Sequence, residues 1–369
     1  MRINVMEVHI MSDIKKNAVI VGYGGMGGWH AKKFKDSDCV NLLGIYDIKE
    51  SRCKLAEENG IHAYASLEEV LSDERVDFIT IATPNDCHKP IALAAMAAGK
   101  HVVTEKPVVL NSAELEELIA ASKKYGRIFT THQNRRWDPD YVMMKEAYRS
   151  GDLGKVFTIE SRVQGSRGIP GDWRGRAAQG GGMILDWGIH LIDQILGIFD
   201  DKKLLSVYCR CEHITNNEVD DGFKLDMYFE DDITARVEVG TNHFISIGRL
   251  YMVGTAGAAV IKDWKDDLHE IICTEWKEEN VVPVDTAAGL TKTMAPRDAK
   301  TTEERVIPRI TTDVHEFYRN LCRAIDGTDE QLITHDHLRR SMMVMEAAFE
   351  SDKTGKPVAV KDINAPRRN

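Results

Sequence analysis

The seven cysteines of this 369-residue chain include no Cys-x-x-Cys pair, and their number is odd. That leaves no even disulfide framework and none of the usual zinc spacings, so reduced thiols in a cytoplasmic protein are expected. Cys209 and Cys211 alternate along a strand and read as packing residues. No apolar run approaches the ~20 residues of a membrane span. Dense Lys/Arg runs are also missing, and a net charge of −10 argues against a nucleic-acid surface. The opening MRINVMEVHIM has neither the basic start nor the apolar centre of a signal peptide. Residues 1–12 are expected to be a loosely held tail. Internal repeats are absent.

What remains is an ordinary globular composition, 43% hydrophobic and 29% charged, long enough for two cores. The run NAVIVGYGGMGGWHAKKF passes from an apolar strand through glycines into a helix. Gly22, Gly24 and Gly27 fit G-x-G-x-x-G in that context. Gly22 permits the turn, Gly24 lets a pyrophosphate approach the backbone, and Gly27 lets helix and strand pack closely. Gly25 and Met26 carry the amides of the helix start that would face phosphate oxygens. The next strand, VNLLGIYD, ends in Asp47, placed to bind both ribose hydroxyls and favour NAD. Lys49 and Arg52 stand close enough to accept a 2′-phosphate, which keeps NADP open.

Strand and helix then alternate to about residue 135, implying a parallel sheet covered on both faces. Ser66 and Glu69 form a capping box at the start of one of these helices. Thr83, Pro84, Asn85 and His88 follow one strand, and Glu105 and Lys106 follow another, in GKHVVTEKPV. Carboxyl ends of parallel strands are where such sheets bind ligands, so these residues join the cofactor set. From Trp137 the rhythm changes to long alternating strands with intervening helices. The fold class is therefore α/β, an N-terminal doubly wound Rossmann domain (13–135) joined to an α+β domain (136–369) with a large, mostly antiparallel open sheet. The apolar alternation of LDMYF and ITARVEV predicts a sheet face that a second copy would cover, giving a homo-oligomer. Asn280–Arg305 has weak periodicity and reads as a long loop.

In GGGMILDWGIH, Asp186 and His190 are four apart, on one face if that segment is helical. An acid one turn from a histidine can orient the ring for general-base work, although a purely structural pair has the same spacing. Arg135, Arg136, Trp137, Trp173, Arg174 and Arg176 are candidates for holding a polar substrate, with Asn242 and His243 behind them. His335 and His337 flank Asp336 at a helix start, which favours an exposed cap over a metal site; no metal is expected.

The elements TP-N-H near 83–88, GKHVVTEKP, NRRWDP, DWRG and GGGMILDWGIHLID resemble, in order, those of the Gfo/Idh/MocA oxidoreductases, a family that includes glucose–fructose oxidoreductase and inositol dehydrogenase. The resemblance implies that Lys106, Asp186 and His190 are catalytic, that the cofactor is NAD or NADP, and that the substrate is a sugar, glycoside or polyol. The narrowest expectation is oxidation of a glucoside at its 3-hydroxyl. Three other readings stay open at this point: an inositol or polyol dehydrogenase, an NAD-dependent glycosidase working through transient oxidation, and a non-catalytic NAD sensor.

Overall fold

The computed structural model describes residues 15–276 and 282–361, so the expected tail lies outside the described residues. The chain divides into two compact units. The first holds Met1–Val109, Ala113–His132 and His315–His335; the second holds Leu110–Ser112, Gln133–Val314 and Asp336–Asn369. The expected boundary near 135 falls three residues late, and it misses the later segment that returns to the first unit.

In the first unit, strands β1 (Lys16–Val21), β2 (Val40–Tyr46), β3 (Phe78–Ile81), β4 (His101–Thr104) and β5 (Phe129–Thr131) form one sheet in the order β2-β1-β3-β4-β5. Every pairing is parallel. Runs such as the apolar Ala18–Val21 and the largely apolar Phe78–Ile81 are buried, as strands covered on both faces require. Helices α1 (Gly25–Lys35), α2 (Glu50–Glu58), α3 (Leu67–Ser72), α4 (His88–Ala97) and α5 (Ser112–Tyr125) alternate with the strands. Order reverses between β1 and β3, and ligands in such sheets lie at that switch point. The box at α3 forms one residue out of register. Ser66 Oγ accepts from the Glu69 amide at 3.1 Å, while Glu69 Oε2 accepts from the Ala65 amide at 2.7 Å.

The second unit opens with α6 (Pro139–Ser150) and β6 (Val156–Gln164). After an irregular glycine-rich stretch comes a single wide π turn over Ile184–Gly188, which runs into α7 (Ile189–Ile198). Strands β7 (Leu204–Glu212), β8 (Gly222–Phe229), β9 (Thr234–Gly240), β10 (Leu250–Gly254), β11 (Gly257–Ile261) and β12 (Leu268–Cys273) follow. A small hairpin, β13 (Val284–Thr286) with β14 (Gly289–Thr291), precedes β15 (Thr302–Ile307). Helix α8 (Glu316–Ile325) belongs to the first unit, and α9 (His335–Thr354) and β16 (Val358–Ala359) close the chain. Nine strands form one sheet in the order β15-β12-β11-β10-β6-β9-β8-β7-β16, with β6 and β9 parallel and the other pairings antiparallel. The region read as a long loop thus contains a hairpin and an edge strand.

The sheet also corrects the reading of LDMYF and ITARVEV. Leu225, Met227, Ala235 and Val237 are fully buried, and α7 packs on this part of the sheet. Their neighbours on the opposite face form a row in register, Tyr251, Glu160, Arg236, Asp226 and Tyr208, in which Arg236 makes a two-bond ion pair with Asp226. The alternation marked the core face, and the other face mixes tyrosines with ion pairs. Among the described residues no helix is long and apolar enough to cross a membrane.

Candidate active site

The turn from β1 into α1 is built by glycines whose neighbours leave no room for a side chain. Gly22 has φ +95°, and a Cβ there would sit 2.7 Å from the Ala82 carbonyl oxygen. A Cβ on Gly27 would lie 1.9 Å from the Gly22 oxygen. By contrast, a Cβ on Gly24 or Gly25 meets nothing within 4 Å, so the outer side of the loop is open, as a bound pyrophosphate needs. Asp47, just after β2, accepts backbone N–H groups from Tyr23 at 2.7 Å and Lys49 at 2.8 Å. These fix the carboxylate beside the loop, so the residues present fit a dinucleotide. Met26 is half-buried and Arg52 is exposed on α2. Thr83 and Pro84 follow β3, with Asn85 buried behind them.

His88 and Glu105, both grouped with the cofactor ligands from sequence, are instead spent inside the unit. The His88 ring is fully buried, with Nδ1 3.0 Å from the Pro107 carbonyl oxygen and Nε2 3.1 Å from that of Thr83. It ties the loop after Lys106 to the end of β3. The peptide between Lys106 and Pro107 is cis. Glu105 Oε1 accepts from His30 Nε2 at 2.8 Å and from His132 Nδ1 at 3.0 Å, and the Tyr318 hydroxyl bonds the other His30 nitrogen. Glu105 Oε2 lies 3.3 Å from the Lys106 amide. Burial pushes the Glu105 carboxyl up, but the bonds from His132 and His30 outweigh it and hold the group well below the usual carboxylate range. Lys106 therefore leaves β4 from an anchored charge network. Nothing in the spacing of GGWHAKKF or TTHQN pointed to it, although His30 and Phe34 do share the buried face of α1.

Burial also lowers the pKa of His30, His88 and His101, the last to about 4. In the unfolded chain each would take a proton near pH 6.5. The sign is therefore fixed: the stability they confer is complete above that pH and is lost as pH falls toward their folded values. Each site contributes up to about 1.4 kcal/mol per pH unit inside that window. Urea midpoints are expected to be insensitive to these rings between pH 8 and 7 and to fall steadily from pH 6.5 downward.

In the second unit, the wide turn and α7 carry Asp186 and His190, each only 6% exposed. The helix expected from the apolar spacing is present, with its first turn widened. Arg174, expected as a substrate ligand, donates Nε to Asp186 Oδ2 at 3.0 Å and Nη1 to Asp172 at 2.8 Å, and lies over the Trp173 ring. The DWRG segment therefore braces the Asp186 carboxylate. Arg136 is committed to Asp193 through two bonds of 2.7 Å, which makes it a structural cation. Arg135 pairs with Asp138 at 2.9 Å and lies over the Trp187 and Trp264 rings, at 4.3 and 5.1 Å. The Trp187 ring also meets His190, with centroids 6.1 Å apart. Sequence reasoning passed over both tryptophans. The Trp137 carbonyl accepts from the Thr312 hydroxyl. His243 ends near Glu238, at 3.6 Å, and Arg176 is exposed. His335 faces the Phe129 carbonyl and Asp336 pairs with Arg339.

Asp220 was also missed. Its Oδ2 accepts the Ile184 amide at 2.8 Å, its carbonyl accepts the Met183 amide at 3.0 Å, and Gly182 (φ +102°) leaves space for its other oxygen. A side chain from outside thus caps the start of the helix that carries Asp186 and His190. Burial raises the Asp220 carboxyl to about 7, against the amides that pull it down. Asp220→Ala is expected to lose about 1–2 kcal/mol in urea unfolding, and Asp220→Asn, which keeps an acceptor, much less.

A Rossmann unit with an open glycine turn, followed by an α+β unit carrying a braced Asp–His helix, defines a nucleotide-dependent oxidoreductase architecture. The comparisons agree. Residues 16–133 match the family model described as "Oxidoreductase family, NAD-binding Rossmann fold", and residues 141–260 match the GFO/IDH/MocA C-terminal domain. The chain belongs to the Gfo/Idh/MocA oxidoreductase family, and its first unit is the NAD-binding domain. A solved NAD-binding protein from Listeria innocua is 40% identical, with a TM-score of 0.90 over 94% of this chain and 99% of that one. The uncharacterized oxidoreductase YdgJ of Escherichia coli K12 is 34% identical, over 49% of this chain and 52% of its own length. The scyllo-inositol 2-dehydrogenase (NADP(+)) IolW of Bacillus subtilis 168 is 25% identical, over 93% of this chain and 95% of its own length. This chain spans about half the length of the first curated relatives it matches.

Proposed function

We propose that the protein is an NAD(P)-dependent dehydrogenase acting on a secondary alcohol of a sugar, glycoside or polyol, with the 3-hydroxyl of a glucoside as the narrowest reading. The observation that carries it is the braced Asp186 on the helix of His190, since a carboxylate fixed by Arg174 one turn from a histidine is the arrangement a general base uses. Bound NAD or NADP supplies the hydride acceptor. His190 takes the hydroxyl proton, and Asp186 stabilises the imidazolium that results. Lys106, held at the end of β4, donates a hydrogen bond to the reacting oxygen as negative charge grows there. A lysine acting as the base is the other assignment of the same residues. The near-full-length alignment with an inositol 2-dehydrogenase favours a second reading, a cyclic polyol as substrate.

The experiment is a panel of glucosides, free sugars and inositols, offered with NAD and with NADP while reduced-nicotinamide absorbance is followed. Turnover with glucosides supports the narrow reading, and turnover with inositols alone replaces it by the second. Tight NAD binding with silence toward every alcohol would sink both and leave a sensor. The exposed Tyr228, Tyr251, Ile271 and Val306 support a homo-oligomer formed through the nine-stranded sheet. Light scattering that returned a monomer would remove that part of the proposal.

A further inference from the structure

Residues 37–39, just before β2, and the start of α8 bring a second reactive cluster together inside the first unit, on residues the proposed dehydrogenase does not use. Cys39 Sγ lies 3.7 Å from His315 Nε2. Cys322, one α-helical stretch further on, donates its thiol to the Cys39 carbonyl oxygen at 3.4 Å. Ser37 Oγ accepts the amides of Cys39 and Val40 at 3.2 and 2.9 Å, so its own proton is left to point at His315 Nε2, 2.6 Å away. In the tautomer where Ser37 donates to it, Nε2 presents a lone pair on the side of the thiol. Asp38 Oδ1 lies 3.5 Å from the same nitrogen, and Asp38 Oδ2 is held by Arg319 at 2.8 Å. Among the described residues no other cysteine sulfur is hydrogen-bonded to a histidine.

We propose that Cys39 and Cys322 form a thiol-oxidation site for a small neutral peroxide, with Cys39 as the attacking sulfur and Cys322 as the resolving one. The Cys39 proton moves to His315 Nε2, where Asp38 balances the imidazolium and the Ser37 hydroxyl, 3.6 Å from the sulfur, can turn to the thiolate. The thiolate attacks one peroxide oxygen, the O–O bond breaks, and the leaving hydroxide takes the proton from His315 to become water. Cys39 is then a sulfenic acid. Cys322 gives up its proton as its sulfur displaces the hydroxyl group, which departs as a second water, and a disulfide remains. Two thiols are oxidised and one peroxide is reduced, with nothing left over.

Two further observations support the assignment. The Cys39 thiol is held below its ordinary value, first by the facing Cys322 thiol and against burial, with His315 and Ser37 adding to the effect. The same contact, together with burial, pushes Cys322 up, so the charge of the pair rests on the sulfur beside the histidine, as an attacking thiol requires. Access also fits: Cys39 and Cys322 are 8% and 7% exposed, while Asp38 is exposed and His315 half-buried, which admits a peroxide and excludes bulky disulfides. Cys87 has no such base, and burial pushes its thiol up.

The test treats the full chain with hydrogen peroxide at pH 7, blocks the remaining thiols, and maps peptides without reductant. The expected product is a Cys39 peptide joined to a Cys322 peptide, with two of the seven thiols lost and then recovered by dithiothreitol. Cys322→Ser should stop at a sulfenic acid on Cys39, trapped by dimedone. His315→Gln should slow thiol loss about tenfold at pH 7 and less at higher pH, where the thiol ionises unaided. Oxidation that begins at another cysteine, or a rate indifferent to His315→Gln, would overturn the proposal. So would a divalent metal copurifying at one per chain and blocking the reaction, because the donor atoms of Asp38, Cys39 and His315 lie within 4.8 Å of one another. None of these outcomes depends on the chain's activity toward alcohols.

Discussion

Lys106→Ala and His190→Ala are each expected to lower turnover by about 10²–10⁴-fold while NAD affinity, read by calorimetry, stays within a few-fold of the parent. Lys106 emerges from β4 in the nucleotide unit and His190 from α7 in the other. The proposed chemistry requires both at the same alcohol, one steadying the oxygen and the other removing its proton. Groups that act as one device are not additive, so the double variant should be little slower than the slower single variant. Fully multiplied losses would mean that the two side chains serve separate steps. A collapse of NAD binding in either single variant would show that the residue belongs to the cofactor cradle.

Glu105→Ala is the substitution expected to cost most stability, about 3–5 kcal/mol. It leaves the His30 and His132 N–H donors, both fully buried, without the oxygen they share. Domains of this kind are stable by only ~5–15 kcal/mol, so a large fraction of the margin disappears and the urea midpoint falls accordingly. Glu105→Gln keeps an acceptor and should lose less, about 1–3 kcal/mol. The carboxyl sits well below its ordinary value in the fold, so its contribution is complete above the unfolded carboxylate range and is lost as pH falls through the folded value. The parent should therefore show an acid-induced loss in that low range that Glu105→Gln lacks. Equal acid sensitivity in the two proteins would assign the loss to other carboxylates.

Much of this architecture was legible in the chain because it is written in local rules. Gly22 and Gly27 sit where a side chain would strike the backbone, and a six-residue glycine pattern between a strand and a helix reports that directly. The EKP and D-x-x-x-H elements located Lys106, Asp186 and His190 by resemblance. What the sequence hid were partnerships between separated residues: Glu105 with His30 and His132, His30 with Tyr318, Asp220 with the Ile184 amide, and Arg174 with Asp186. No periodicity records such a pairing, and Arg136 and Arg174 look alike in sequence to any substrate-binding arginine. Two-fold alternation in β8 and β9 identified an apolar face but not which side the helices would cover. The irregular 280–305 stretch held a hairpin and an edge strand too short to announce themselves.

The return of residues 315–335 to the nucleotide unit has a consequence for how the polypeptide is made. Tyr318 closes the interior beside Phe34 and His30, so that interior stays unfinished until the ribosome has passed residue 318. An open, glycine-turned sheet must wait through the synthesis of Gln133–Val314, most of the second unit, exposed to chaperones and to its own neighbours. A gene fragment ending at residue 133 should accordingly yield insoluble product, and co-expressing the missing helix as a separate peptide should rescue part of it.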